Sequence, residues 1–341
     1  MTDFTALALQ EFPQAALLME EGRVVAVNAM ARHYLPELEQ GELLPPFIPQ
    51  AAGEAAGSFT AGLSTYSFHQ KPTDQGTLLL FCPAPQTTLT DHQLDGTLRQ
   101  MRSLLSELMT AAAGQGTDSQ AALRKSFFRL FRLVDNLDFL RLASGGGKVP
   151  FRPVTMDLAG LCSKVVREAA PLLQEGGVTL EYRSEAVTLL IPGDPGLLER
   201  LLLELISNSA KAMGKGTIIL GLRLQRDRAL VTLSDSGKAP TQRQMAAMVQ
   251  QDTDQLLPTP EAGAGLGLAI VRDIARLHQG ILLMEWGEDS PTAILSLPTG
   301  PLDPHLSLSS PVLQMDGGLS PLLVALCDAL PLSVFRDAEL E

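Results

Sequence analysis

The chain has 341 residues, a net charge of −12 and an isoelectric point near 4.9. That excess of carboxylates argues against a nucleic-acid backbone as the main partner, and the length leaves room for two or three domains. Three isolated cysteines, Cys82, Cys162 and Cys327, show neither metal-ligand spacing nor a disulfide framework, as expected in a reducing compartment. The opening MTDFTALALQEFPQ lacks a basic stretch leading into an apolar core. No apolar run approaches the thickness of a bilayer, so a cytoplasmic chain without a membrane span is expected.

Residues 13–82 read as a small α+β unit. AALLMEEGRVVAVNAMARHYL gives a strand, a tight turn at Glu21-Gly22, a second strand and a short helix from Asn28. GSFTAGLSTYSFHQ and GTLLLFC give two further strands around the turn KPTDQ, and His33 and His69 read as surface residues. The strand, E-G-R turn, strand and V-N-A-M-A run resembles the opening of a PAS sensory domain, which implies such a domain over 1–85. Pro83 and Pro85 end the unit.

From about Thr90 the pattern becomes helical. Leu94, Leu98, Met101, Leu105 and Leu108 are spaced four, three, four, three, and Leu123, Phe127, Leu130, Val134 and Leu137 repeat the spacing after AGQGTDS. Two such helices form an antiparallel hairpin over 88–146, and two hairpins would bury their apolar stripes as a homodimeric four-helix bundle. Ser144-Gly-Gly-Gly then reads as a flexible link.

Over 149–299 strands and helices alternate. Asp157 is placed to cap a helix, VTLEYR and VTLLIP read as strands, and Asp194-Pro195 gives an N-cap followed by a first-turn proline. GTIILGLRLQ and RALVTLSDSG form a hairpin, GLGLAIVRDIARLHQ a helix with glycine in its first turn, and ILLMEWG and AILSLP two last strands. The sum is a two-layer α/β sandwich, in an α+β multidomain chain. The tail, 300–341, contains one amphipathic helix from Pro321, expected to lie on the body.

One helix in this region, LLLELISNSAKAM, carries Glu204, Asn208 and Lys211 on a single face of an otherwise apolar segment. With DSGKAP at Asp235–Pro240 and GAGLGLAIV at Gly263–Val271, it resembles the nucleotide-binding boxes of the GHKL ATPases, the superfamily of histidine kinases, gyrase-type ATPases and Hsp90-type chaperones. The resemblance covers residues 150–298. It implies an MgATP site in which Asn208 holds Mg²⁺, Lys211 neutralises phosphate and Asp235 accepts a hydrogen bond from the adenine amino group. Gly237 would let the backbone pass close to the ring. Gly263, Gly265, Leu266 and Gly267 would present backbone N–H groups to phosphate at a helix N-terminus. The chain departs from the family in three ways: Ala239 replaces the second glycine of the D-x-G-x-G box, only 30 residues (265 − 235) separate Asp235 from Gly265, and the aromatic box is missing.

Within the hairpin, His92-Gln-Leu-Asp-Gly-Thr-Leu98 resembles the phosphoacceptor box of histidine kinases, with His92 as acceptor and Leu94, Leu98 and Met101 in core positions. Gln93 replaces the acidic neighbour and cannot take a proton, and Asp95, Gly96 and Thr97 replace Arg, Thr and Pro. A register using Leu98-Arg99 would put Gly96 at the acceptor position. Three readings follow from the resemblance. The first is a sensor histidine-kinase-like protein that passes phosphate from ATP to His92 and on to a response regulator. The second is a catalytically impaired, ATP-binding dimeric regulatory module. The third is an ATPase in which Glu204, one turn before Asn208, activates water.

Overall fold

The computed structural model describes residues 9, 12, 14–51, 53–61, 64–84, 91–144, 149–237, 266–286, 291–300 and 320–336. Five strands build the first region: β1 (Ala15–Glu20), β2 (Arg23–Val27), β3 (Ala55–Ala61), β4 (Ser64–Thr73) and β5 (Gly76–Pro83). A short helix, α1 (Ala29–Tyr34), follows β2. The β1–β2 hairpin closes at Glu21 and Gly22, both at positive φ (48° and 77°), the geometry whose twist matches paired strands. Buried Asn28 begins α1: its side-chain oxygen accepts hydrogen bonds from the backbone N–H groups of Ala31 (2.9 Å) and Ala16 (3.0 Å). The run GSFTAGLSTYSFHQ, read above as one strand, is divided between β3 and β4, which pair antiparallel across the break. The apolar alternation changes phase there, from Phe59, Ala61 and Leu63 to Tyr66 and Phe68, and Gly62 stands at the change; the reading as one strand passed over both signals.

The hairpin helices are α2 (Asp91–Ala113) and α3 (Thr117–Ser144). Then come β6 (Val154–Asp157), α4 (Leu158–Glu175), β7 (Val178–Ser184), β8 (Leu190–Gly193) and α5 (Pro195–Met213). The strands β9 (Gly216–Gln225) and β10 (Arg228–Asp235) turn at Arg226, and α6 (Leu266–Leu277), β11 (Ile281–Trp286) and β12 (Pro291–Pro298) follow. Both predicted caps are made: Asp157 accepts from Ala159 N–H (3.1 Å), and Asp194 from Gly196 and Leu197 N–H (3.1 Å each). The tail helix is shorter than expected: α7 (Pro321–Leu326) is six residues, followed by a 3₁₀ turn at Leu332–Phe335. Pro331 lacks the N–H a continuing helix would need.

Ten strands form one sheet in the order β2-β1-β5-β4-β3-β11-β12-β10-β9-β7, and β6 pairs with β8 apart from it. Only the β7–β9 pair is parallel within the large sheet. The join is β3 against β11, with Gly57 opposite Leu283. Successive side chains of a strand face opposite sides, and β11 uses both. Ile281 and Leu283 enter the core beneath α1 and the loop that follows it, with Phe59, Phe68 and Phe81, whereas Leu282 enters the core under α4, α5 and α6. The two halves of the sheet are therefore covered on opposite faces.

The hairpin and the tail belong to the second core. Leu104, Phe128, Leu133 and Leu140 of the hairpin are buried with Leu201, Leu202 and Ile206 of α5 and with Val324, Leu326, Leu330 and Phe335 of the tail. No helix among the described residues is long and apolar enough to cross a membrane.

Candidate functional site

α5 holds its place through Leu198, Leu201, Leu202, Leu205 and Ile206, all buried. Because 3.6 residues make a turn, this buried stripe fixes the azimuth of Asn208 and Lys211, which reach a cavity of about 290 Å³. The same cavity is lined by Asp235 at the end of β10 and by Leu266 and Gly267 at the start of α6. Its apolar walls come from Leu205, Leu233, Met284 and Ala293. The structure thus brings six of the predicted residues, Glu204, Asn208, Lys211, Asp235, Leu266 and Gly267, to one cavity. Gly237 stands beside it and donates its N–H to Asp235 Oδ1 (2.9 Å). Gly263, Gly265 and Ala239 lie outside the described residues, as does the side chain of His92, whose backbone is in the first turn of α2.

The donor set suits a magnesium nucleotide. Asp235 is 9% exposed and keeps one oxygen on Gly237, leaving a carboxylate at a largely apolar wall for an amino donor. Asn208 is exposed to the cavity, with an amide oxygen of the kind that ligates hard cations. A Cβ at Gly267 would fall 2.6 Å from Glu204 Oε2 and within 3.7 Å of the Asn208 amide, so glycine lets the N-terminal turn of α6 close onto α5. The N-terminal end of α6 supplies positive potential beside the Asn208 amide.

The hairpin supplies the opposite wall, which the sequence reading missed. Gln100 of α2 and Arg129, Arg132, Leu133 and Asn136 of α3 line the same cavity. Arg132 donates to Glu204 Oε2 (2.7 Å) through Nη2, and through Nη1 to Ser207 Oγ (3.1 Å) and Asp328 Oδ2 (3.2 Å). Burial works against the Arg132 charge; Glu204 and Asp328 outweigh it and hold its pKa above that of an ordinary guanidinium. Glu204 is 2% exposed. Its Oε2 is engaged by the Arg132 guanidinium.

Asp328, in the tail, was also not legible as a site residue. It accepts from Arg129 Nε (2.9 Å) as well as Arg132, and Lys211 Nζ stands 3.7 Å from its Oδ2. Burial raises its pKa, but Lys211, Arg132 and Arg129 outweigh that and hold the carboxyl below the usual carboxylate range. Neighbouring Cys327 is buried, and burial followed by the Asp328 charge pushes its thiol up to about 12. No motif contains Arg129, Arg132 or Asp328; their only sequence signal is that they interrupt apolar helices.

Residues 193–300 match the family model described as histidine kinase-, DNA gyrase B-, and HSP90-like ATPase. The circadian input-output histidine kinase CikA of Synechococcus elongatus is 28% identical over 203 residues, 57% of this chain and 27% of the relative. The sensor histidine kinase ZraS of Klebsiella oxytoca is 26% identical over 196 residues, 56% of this chain and 40% of the relative. Among solved structures, the Acinetobacter baumannii histidine kinase AdeS is 16% identical with a TM-score of 0.48, covering 62% of this chain and 98% of that one. The segment 193–300 thus carries the match to that ATPase family, and over somewhat more than half its length the chain is similar to sensor histidine kinases. It spans less than half the length of these two curated relatives.

Proposed function

We propose that this chain binds MgATP in the cavity between α5, β10 and α6 and acts as a histidine kinase, phosphorylating His92 and then a response regulator. The observation that carries the reading is the meeting of Asp235, Asn208, Lys211 and Gly267 at one cavity within the family-matched segment. Asp235 would accept from the adenine amino group, Asn208 would hold Mg²⁺, and Lys211 would neutralise phosphate. When bound, MgATP supplies an electrophilic phosphorus and an ADP leaving group. The chain supplies orientation, exclusion of water by the hairpin wall, and the neutral imidazole of His92 as nucleophile.

The hairpin wall meets the cavity at Gln100, eight residues beyond His92. At 1.5 Å per residue that is about 12 Å of helix. Transfer to His92 therefore calls for the ATPase unit to shift along α2. The test is incubation with γ-labelled ATP and Mg²⁺. Acid-labile label on wild type, absent from His92→Gln and reduced at least tenfold in Asp235→Ala, is expected. Nucleotide binding without any acid-labile label would instead favour a regulatory module that binds ATP and does not transfer phosphate.

A further inference from the structure

The C-terminal segment, Ser320–Arg336, lies beyond the family-matched residues, yet it sits against the nucleotide cavity. It is seated by apolar contacts and by basic residues of α3. Phe335 meets Phe128 at 5.7 Å between ring centroids, Lys125 donates to Leu330 O (2.6 Å), and Arg124 donates to Arg336 O (2.7 Å). This seating delivers one carboxylate, Asp328, to three cations from two parts of the chain: Arg129 and Arg132 of the hairpin and Lys211 of α5.

We propose that Arg129, Arg132 and Lys211 form an oxyanion site that takes the terminal phosphate of a nucleoside triphosphate, and that Asp328 occupies this site when the cavity is empty. The inference rests on the reading of the cavity as a nucleotide site. Its chemistry is that of like ligands competing for one set of donors. A carboxylate and a phosphate present the same kind of oxygen, and a guanidinium binds either through paired N–H groups.

The local charges balance without ligand. Arg129, Arg132 and Lys211 face Glu107, Glu204 and Asp328, with Arg129 Nη1 2.8 Å from Glu107 Oε2. A phosphate entering that set competes with a carboxylate for the N–H groups of the cations. Glu204 is fixed in the middle of the nineteen-residue helix α5, and Glu107 touches only Arg129 among the three cations. Asp328 contacts all three, and it rides on a short segment beyond a six-residue helix. It is the one that can withdraw. Lys211, at 3.7 Å, is outside hydrogen-bond range of Asp328 and already lines the cavity.

Withdrawal of Asp328 also removes the tail's bonds to Arg129 and Arg132, loosening the tail from the hairpin and from Lys211. Triphosphate binding and tail docking would then oppose each other reciprocally. A diphosphate, lacking the terminal group, would leave Asp328 in place.

The test uses the full chain with Mg²⁺, comparing a non-hydrolysable ATP analogue with ADP by calorimetry. Asp328→Asn is expected to tighten the triphosphate analogue roughly tenfold, within the usual range of coupling energies, and ADP less than twofold. Adding Arg132→Gln to Asp328→Asn should remove the selective gain. An equal change for both nucleotides, or weaker triphosphate binding, overturns the inference. Wild type gives an independent readout that needs no folded variant: labelling of buried Cys327 by a maleimide, followed by peptide mass spectrometry. The triphosphate analogue should speed this labelling at least fivefold and ADP should not; unchanged labelling overturns the inference. Failure of ADP to bind any form would sink the nucleotide reading itself, an outcome distinct from ADP binding without selectivity.

Discussion

Glu204 and Asn208 stand one turn apart on α5 in opposite environments. Asn208 is open to the cavity, while Glu204 is buried and spent on Arg132. Their i, i+4 spacing was legible in the sequence as a shared polar face. Their different fates were not, because the cation that claims Glu204 comes from residue 132, in a helix that reads as a dimerisation element. A burial of this kind is costly unless both charges are satisfied. Breaking such a pair on one side commonly costs about 3–5 kcal/mol.

His278, which no motif contained, makes the clearest residue-scale prediction. Its Nε2 accepts from Asp194 N–H (2.9 Å), and Nδ1 lies 2.8 Å from Ile274 O. That pair of partners requires the neutral ring with the proton on Nδ1. Burial, outweighing Ile274 and Asp194, lowers its pKa below 6.5. The unfolded chain therefore binds this proton first as pH falls. The contribution to stability is full above about 6.5 and is lost as pH falls from there toward the folded pKa. Urea unfolding between pH 7.5 and 5 should show a decline in wild type that is visibly shallower in His278→Gln. Parallel curves for the two proteins would exclude this role.

At the scale of elements, nearly every strand and helix between 149 and 298 was readable, since caps, turn residues and apolar periods agreed there. Three features were not. The short strand β6 precedes the Asp157 cap and pairs only with β8, too brief a run to announce itself. The β3–β4 reversal was marked only by a one-residue phase change, from Phe59 and Ala61 to Tyr66 and Phe68, and by Gly62. The pairing of β3 with β11 was invisible because a period-2 pattern states which face is buried and never which edge will be met.

That pairing depends on Gly57. A Cβ there would lie 2.0 Å from the carbonyl oxygen of Leu282. Gly57→Val is therefore expected to part β3 from β11 at a cost of about 1–3 kcal/mol, in the range of overpacked sites. The two flanking cores should persist, since most of their residues lie away from the junction. Hydrogen exchange should speed up over residues 55–58 and 282–285 and stay unchanged in β9 and β10. Uniform acceleration, or none, would show that the junction is not held in this way.

At the scale of the molecule, the hairpin carries apolar side chains on two sides, and the described residues of one chain cover only one of them. Leu104, Phe128, Leu133 and Leu140 face α5, α6 and the tail. The heptad stripe read from the sequence is split: Met101, Leu130 and Leu137 pack on that same core, while Leu98 (49% exposed), Leu105 (47%), Phe127 (46%) and Val134 (51%) face solvent. The buried stripe went unread because Ser126, Arg132 and Asn136 interrupt it, all three buried polar residues. An apolar band of this length on two long antiparallel helices is costly to leave in water and fits a second copy of itself. The expected species at micromolar concentration is a homodimer of twice the 36.5 kDa chain mass. Leu98→Glu combined with Phe127→Glu places charge in the middle of the band on both helices and touches neither the nucleotide cavity nor the tail. Size-exclusion chromatography with light scattering should show that variant as a monomer with wild-type circular dichroism and wild-type ADP affinity. A monomeric wild type would leave the exposed heptads without a second copy, and a dimeric variant would place the association on another surface.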